Sequence, residues 1–506
     1  MPTSSLVMSL SRHAQESPDA EALVSGDTRL TYRELADRSI ELARLLPPDT
    51  GAGPLCVVAP KSPEAVALLL ACFRDRRQVL LPSPELGTDV LHRLAAQARC
   101  THLVSIPPEG TTDALSVTPL NTIPTPPAPP ASPAPSAPLL LTTSGSTGLP
   151  KIVPLPEDGM DRFMAWATTH FGTAPGTRVL SYAPLNFDLS LLDVWATLSV
   201  GGTVVLVPPE RATDSARLLA TLTAARVQLV QSVPMLFRLL ADAAEGAGRT
   251  LPDVRHVLLT GEATPPELLA RTARLFPSAR IHNVYGCTET NDSFVYEVER
   301  AGGRTELPLG VPLPGVSWTL LADDGRELTG EGTGELVVRT PFQTDGYLDP
   351  ALNGDRFLRP PGADAVHYRT GDLVHRAADG TLTLRGRSDF QVKVRGVRTN
   401  LQDVEQALLL HPDVDEAVVV ALPDPEAGAR LHAVVRPTRD SARLNSLVLR
   451  SHCARHLPRT AIPGSLEITD EPLPRTSTGK PDRQSIKERQ SAKERQLAEE
   501  HQLAKG

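Results

Sequence analysis

The chain of 506 residues is poor in cysteine, and its five cysteines, Cys56, Cys72, Cys100, Cys287 and Cys453, are scattered without a C-x-x-C pair. That spacing excludes a paired-thiolate zinc site and a disulfide framework, and predicts buried, reduced thiols acting as small apolar side chains. The sequence also lacks any apolar run of about 18 residues, which argues against a membrane-spanning helix. Met1 to Asp19 lacks the basic-then-apolar layout of a secretory leader, so a cytoplasmic protein is expected. Basic charge is in deficit, with 51 Lys and Arg against 59 Asp and Glu and a formal net charge of -8, which argues against a nucleic-acid surface.

What is present suits an α/β enzyme large enough for one large and one smaller domain. Short apolar runs such as Leu55 to Val58, Val204 to Val207 and Val257 to Leu259 alternate with amphipathic stretches such as Thr213 to Ala225 and Pro265 to Phe276. That alternation predicts βα-layered subdomains with buried strands. From Gly386 the pattern changes to a small α+β unit, with strands near Val392 to Val394 and Ala417 to Leu422 and a helix from about Asn400 to Leu410. Pro119 to Pro138, rich in Pro, Ala, Ser and Thr, reads as an extended surface connection, and the charged, alanine-rich Ile486 to Lys505 as a solvated helix or frayed tail.

The most informative run is Thr143-Ser144-Gly145-Ser146-Thr147-Gly148-Leu149-Pro150-Lys151, directly after the apolar Leu139-Leu140-Leu141. Glycine lets backbone N–H groups approach an anion, and the hydroxyls and the Lys151 ammonium add donors. The spacing is not that of a P-loop ATPase, because Leu149 and Pro150 separate Gly148 from Lys151. Taken alone, the run would equally suit a flexible linker.

The run resembles the phosphate loop of the adenylate-forming superfamily, which includes acyl- and aryl-CoA synthetases, luciferases and the adenylation domains of nonribosomal peptide synthesis. Further segments similar to that family's motifs follow in its order. They are Phe187-Asp188-Leu189-Ser190, Gly201-Gly202, Asn283 to Glu289, Gly334-Glu335-Leu336, Gly346-Tyr347, Tyr368 to Asp372, Gly386 to Asp389, Gln391 to Gly396 and Thr476 to Lys480. The similarity runs from about Leu30-Thr31-Tyr32-Arg33-Glu34-Leu35 to Lys480. It implies a large AMP-binding domain over residues 1–388, a small mobile domain over 389–485 with its hinge at Asp389, and a charged tail over 486–506. The usual glycine-rich segment after the second core motif is Arg74 to Gln78 here, read as a surface difference, and the family's Arg-Ile-Glu after Gly396 is Arg398-Thr399-Asn400.

The resemblance also implies the chemistry. A carboxylate attacks the α-phosphorus of ATP, so two anions must be neutralised and held in line with the leaving pyrophosphate. Thr143, Ser144, Gly145, Ser146, Thr147, Gly148 and Lys151 would grip phosphates, and Lys480 would bridge the substrate carboxylate and α-phosphate. Thr288 would bond the α-phosphate, and Glu289 would hold Mg²⁺, a hard cation that prefers oxygen. Asn283, Tyr285 and Gly286 would surround adenine, Asp372 would take both ribose hydroxyls, and Arg387 would complete the ATP site. Cys287 stands where the family usually has proline. After adenylation the small domain would rotate and admit a pantetheine thiol past Gly396.

Asp188 matches the aspartate that pairs with the substrate ammonium in amino-acid adenylating domains. The side-chain pocket implied by the alignment is Leu189, Leu192, Gln231, Leu258, Thr260, Val284, Asp292 and Ser293. Its polar end favours a small substrate ending in a hydroxyl, amine or amide, with glycine, alanine or proline as fallback. The expected function is ATP-dependent activation of a small amino acid and its transfer to a discrete phosphopantetheinylated carrier protein in natural-product biosynthesis. An acyl-CoA synthetase for a small carboxylic acid is the alternative, and a non-catalytic interaction protein on this fold the third reading.

Overall fold

The computed structural model describes residues 5–48, 53–84, 86, 88–106, 115–120, 137–143, 150–261, 263–299, 306–322, 324–354, 356–359, 365–387, 391–394, 397–424, 428–438, 444–457, 461–476 and 479–503. At residues 387, 391–394, 397, 398, 400, 423, 428 and 495–503 only the backbone is described. The fold is mixed α/β, with a large N-terminal part and a small C-terminal one. The chain divides into two compact units, Met1–Thr319 with Val337–Thr370, and Leu320–Leu336 with Gly371–Gly506. One division falls inside the strand His367–Arg376.

The first unit is built on two sheets whose interiors are parallel and whose edges are antiparallel. The larger runs Val311–Pro312, Asn291–Glu297, Arg280–Cys287, His256–Thr260, Leu229–Ser232, Arg178–Ser181, Thr203–Leu206, Glu21–Ser25, Thr28–Thr31 in spatial order. The smaller places Leu139–Thr143 between Val79–Leu80 and Lys151–Leu155. Parallel strands are covered on both faces, so they need apolar residues at every position rather than at alternate ones. Leu139, Leu140 and Leu141 meet that demand and are fully buried.

Alternation sends successive residues of the large sheet into two cores. Val179, Val204, Leu229, Leu258 and Val284 join one core with Phe163 and Trp195. Leu180, Val205, Val230, Val257 and Leu259 join the other with Leu218, Leu236, Phe237 and Leu240. The helices Ser215–Ala224 and Pro266–Leu275 lie within the stretches read as amphipathic from sequence.

Local chemistry sets the helix starts. Thr31 and Glu34 form a reciprocal capping box that opens the helix Tyr32–Leu45. The buried Tyr32 hydroxyl then donates to the carbonyls of Gly202 (2.7 Å) and Leu198 (3.2 Å), tying the first motif to the glycine pair. Gly202 cannot be larger, since a Cβ would lie 2.8 Å from Thr197 Cγ2 and 2.9 Å from the Thr177 carbonyl. The segment Arg74 to Gln78 departs from the expected surface-only role. Arg77 is buried, its guanidinium donates to the Pro47 carbonyl (2.7 Å), and Gln78 donates to the Ala137 carbonyl (2.7 Å). With no glycine to turn the chain, Arg76 adopts a positive φ of 56° and the next two side chains fold inward to satisfy backbone acceptors. Four cysteines are buried as expected, whereas Cys287 is half-buried.

The second unit holds an α+β core. Strands Val414–Asp424 and Gly428–Pro437 pair antiparallel, and Ser465–Ile468 joins in parallel. The helix Leu401–Leu409 lies within the expected span and buries Leu401, Val404 and Leu408 against Val419, Leu431 and Val435. Glu405 is buried beneath it, accepting from the Val419 N–H (2.8 Å) and from Arg483 (2.6 Å). The tail forms a helix, Arg483–Leu503, whose Ile486 is buried.

Candidate functional site

Thr143 ends its strand and pairs in register with Lys151, so the two ends of the glycine- and hydroxyl-rich run are fixed side by side. Ser144, Gly145, Ser146, Thr147 and Gly148 lie outside the described residues. Thr143 Oγ1 is buried and without a hydrogen-bond partner, as a hydroxyl reserved for a ligand would be. The Lys151 ammonium sits 4.7 Å above the centre of the Tyr347 ring.

Tyr347 connects this cation to the expected metal ligand. Its hydroxyl donates to Glu289 Oε1 (2.6 Å) and lies 3.1 Å from the Tyr368 hydroxyl. Burial, with Glu289 nearby, pushes both phenols well above their usual range, so each stays protonated and can donate. Glu289 is buried in the turn after Cys287, and the Thr344 N–H holds its carbonyl (3.0 Å). Thr288 is half-buried in the same turn, and Cys287 Sγ lies 3.2 Å from Thr290 Oγ1. Sequence reading matched Gly346-Tyr347 and Tyr368 to motifs but gave neither tyrosine a role.

The adenine candidates lie on the adjoining strand. Asn283 donates to the Pro308 carbonyl (2.8 Å), and Tyr285 packs edge-on against Phe294 at 6.0 Å. Gly286 faces Asp292 across the hairpin, where a Cβ would come within 2.4 Å of the Asn291 carbonyl oxygen. Asn291 makes the close turn at a positive φ of 58° and receives the Asp292 N–H on its own side chain (2.8 Å).

The expected side-chain pocket collects at the carboxyl ends of the parallel strands, where open α/β sheets bind ligands. Gln231 is in register with Leu258, and Thr260 with Val284. Leu192, Leu258 and Val284 share one apolar core. Asp188 and Leu189 are half-buried in the loop after Arg178–Ser181. Ser190 Oγ shapes that loop, bonding the carbonyls of Phe187 (2.7 Å) and Leu185 (3.1 Å). Asp292 is buried, its Oδ2 has no partner, and burial together with the charge of Asp188 pushes its carboxyl up to about 8. Gln231 Oε1 is also buried without a partner, whereas Ser293 Oγ lies within 3.3 Å of Thr290 Oγ1 and the Asn291 carbonyl.

Beneath the Asp188 loop lie two buried charged groups that sequence reading did not find, Lys61 and Asp193, which act on each other electrostatically without a direct hydrogen bond. Lys61 donates to the carbonyls of Ser181 (2.7 Å), Tyr182 (2.6 Å) and Ala183 (3.0 Å). Burial pulls its ammonium down and pushes the Asp193 carboxyl up, and each opposes the shift of the other. Asp193 lies in a π-helical turn, Leu191–Ala196, that also carries Leu192. No local signal marks the pair, because its partners lie far apart in sequence.

Two expected ligands belong to the second unit. Asp372 is buried on a strand in register with Arg387, just after Gly371, which takes a positive φ of 75° and donates to Glu335 (3.2 Å). Lys480 is exposed on a tight loop in which the Thr476 N–H bonds its carbonyl (2.8 Å) and Arg475 donates to the Gly479 carbonyl (2.6 Å). The Arg387 side chain, the hinge candidate Asp389 and Gly396 lie outside the described residues. Among the described residues, no helix is long and apolar enough to cross a membrane.

A mixed α/β fold with a large N-terminal part and a small C-terminal one is the architecture of adenylate-forming enzymes. The AMP-binding enzyme family matches residues 10–348, and the AMP-binding enzyme C-terminal domain matches residues 403–480. The chain belongs to this family, and so to the adenylate-forming superfamily that its motifs resemble; enzymes of the family use ATP. It is 35% identical over 352 residues to the L-proline–L-prolyl-carrier protein ligase of Streptomyces coelicolor, covering 69% of this chain and 65% of that protein. It thus spans just under two thirds of that relative's length. It is 27% identical over 500 residues to the D-alanine–D-alanyl carrier protein ligase of Bacillus licheniformis, covering 96% of this chain and 99% of that protein. The crystal structure of ATP-bound MatB from Rhodopseudomonas palustris shares the fold, with a TM-score of 0.79, 21% identity, and coverage of 96% of this chain and 99% of that one.

Proposed function

We propose that the protein activates a small amino acid with ATP and transfers it to the phosphopantetheine thiol of a separate carrier protein. In the first half-reaction a substrate carboxylate oxygen bonds to the α-phosphorus and pyrophosphate leaves. In the second, the thiol sulfur bonds to the acyl carbon, AMP leaves and the thiol proton is released. The observation that carries this reading is Asp188, half-buried in the loop that Ser190 shapes through the carbonyls of Leu185 and Phe187. An acid without an amine offers no ammonium for that aspartate to bind, so the acyl-CoA reading gives it no part in substrate choice.

Each group of residues has a part in this scheme. Thr143, Lys151 and the run between them hold the β- and γ-phosphates, Thr288 and Lys480 the α-phosphate, and Asn283, Tyr285 and Gly286 the adenine. Asp372 takes the ribose hydroxyls, and Arg387 completes the ATP site. Glu289 fits Mg²⁺, since that cation binds through one or two carboxylates plus substrate phosphates rather than through an all-protein cage. Bound there, the ion would neutralise phosphate charge, while the Tyr347 hydroxyl fixes the carboxylate that holds it. In this reading the small domain spans 389–485 and pivots at Asp389, the tail begins at 486, and the enzyme works in the cytoplasm.

The names of the relatives, carrier-protein ligases for proline and D-alanine, support an amino acid and a discrete carrier as partners. The test is ATP–pyrophosphate exchange across proteinogenic, nonproteinogenic and β-amino acids. Exchange with at least one amino acid is expected. CoA thioester formation from an unaminated acid, without amino-acid exchange, would refute the proposal.

A further inference from the structure

Lys480 is exposed, yet the segment that carries it is anchored at both ends in the core of the second unit. Leu473 and Ile486 are buried there in one cluster with Val418, Val420 and Leu422. Alternate residues of the strand Val414–Asp424 share a face, so Glu416 extends the row of Val418, Val420 and Leu422. Its Oε1 pairs with Arg436 (2.5 Å), the residue in register on the neighbouring strand, and its Oε2 accepts from Arg475 (2.5 Å). The sheet thus fixes the carboxylate, and the carboxylate fixes Arg475.

Arg475 spends its other terminal nitrogen on the loop. That nitrogen donates to the Gly479 carbonyl (2.6 Å), in the peptide group that leads into Lys480. Gly479 has a positive φ of 77°, so the chain enters Lys480 through a left-handed turn that glycine adopts without strain. Two further bonds close the loop on itself, from the Gly479 N–H to the Thr476 carbonyl (2.9 Å) and from the Thr476 N–H to the Lys480 carbonyl (2.8 Å). Those bonds give the loop its shape. The planar fork of Arg475, spanning Glu416 and Gly479 in one fixed geometry, ties that shape to the sheet.

We infer that Arg475 is a positioning residue for Lys480: held by Glu416, it fixes the Gly479 peptide and so the point from which the lysine reaches the reacting phosphate. The inference rests on the reading above, in which Lys480 serves adenylation. A lysine stem is flexible, and anchoring its root limits the volume that its ammonium samples. A misplacement of about 1 Å set by a residue away from the chemistry can cost about 10² in rate, so releasing the root should show in kcat.

The experiment measures kcat and KM for ATP–pyrophosphate exchange in the full chain, with the amino acid that the wild type exchanges fastest in the screen above. Arg475→Met should lower kcat by about tenfold or more while KM for ATP changes by less than about threefold. Glu416→Gln, which keeps the shape of the anchor and removes its charge, should lower kcat by about threefold or more. The two together should lower kcat no further than Arg475→Met alone, because they act along one path. Arg430→Met is the control: it removes another partly exposed arginine of the same unit, paired with Glu494, and should leave kcat within about twofold. Hydrogen exchange at the Thr476 and Gly479 amides, read without any reaction, should quicken by about tenfold or more in Arg475→Met. Unchanged kcat in Arg475→Met or in Glu416→Gln, an equal loss in Arg430→Met, additive losses or unchanged amide exchange would each overturn the inference and leave amino-acid activation standing. Wild-type exchange with no amino acid would overturn both readings.

Discussion

Replacing Lys61 by methionine keeps the aliphatic stem and removes an ammonium that donates to three carbonyls and acts electrostatically on the buried Asp193. Each of the Ser181, Tyr182 and Ala183 carbonyls would lose a donor now 2.6 to 3.0 Å away, and Asp193, fully buried, would lose its counter-charge. A buried acceptor left unmade costs about 1–3 kcal/mol, and breaking a buried ion pair about 3–5 kcal/mol. These terms overlap, because an Asp193 without its partner takes up a proton and water can reach the loop. We therefore expect a net loss of about 3–5 kcal/mol, a factor of between about 10² and 10⁴ in the unfolding equilibrium. Denaturant unfolding followed by tryptophan fluorescence reports the change, with Trp195, two residues from Asp193 and buried, as the local probe. A double-mutant cycle with Asp193→Leu isolates the pairing, since removing both charges leaves neither uncompensated. The double variant should be less destabilised than the sum of the singles by about 2 kcal/mol or more. Coupling below about 0.5 kcal/mol would refute the claim that the two charges hold each other in place. Because the clamped carbonyls lead directly into the Asp188 loop, KM for the amino acid should rise in Lys61→Met more than KM for ATP.

Three further outcomes follow from the same geometry. Lys480→Ala should abolish amino-acid-dependent pyrophosphate exchange but spare carrier loading from a pre-formed adenylate; equal loss of both steps would contradict a lysine used only for adenylation. Tyr347→Phe keeps the ring beneath Lys151 but removes the hydroxyl that holds Glu289, so the exchange reaction should need more Mg²⁺, with a stability loss of about 1–2 kcal/mol. An unchanged Mg²⁺ dependence would detach Tyr347 from Glu289's role. His282 is buried against His256, its Nε2 3.2 Å from His256 Nδ1, and burial holds it down to about 4 against an ordinary 6.5. The folded state therefore binds fewer protons than the unfolded one, and stability present above pH 6.5 is lost as pH falls toward 4, by about 3 kcal/mol. His282→Gln should flatten that acid-side decline in denaturant unfolding, and an identical pH profile would refute it.

The parts of this protein that were legible in sequence are those encoded by neighbours in the chain. A strand buried on both faces must be apolar at each position, so Leu139-Leu140-Leu141 announces both itself and the loop that follows it. The helix Leu401–Leu409 was legible too, within the expected span of about Asn400 to Leu410. Arg77 was misread as surface because charge predicts exposure only on average. Its burial depends on the Pro47 carbonyl, a partner that no local pattern supplies. The same holds for Tyr347 with Glu289, and for Lys61 with Asp193.

Those long-range pairs share a logic with the pocket itself. At the phosphate end, a neutral phenol donates to Glu289, so the carboxylate is oriented without its charge being cancelled, and it keeps the power to attract a cation. Beneath the Asp188 loop, Lys61 takes three successive backbone carbonyls as its partners, so the chain leading into the loop is clamped. Rigidity supplied through a phenol at Glu289 and through backbone acceptors at Lys61 thus fixes both places without a direct lysine–carboxylate bond, and Asp292, whose N–H bonds the Asn291 side chain, is likewise placed through its backbone.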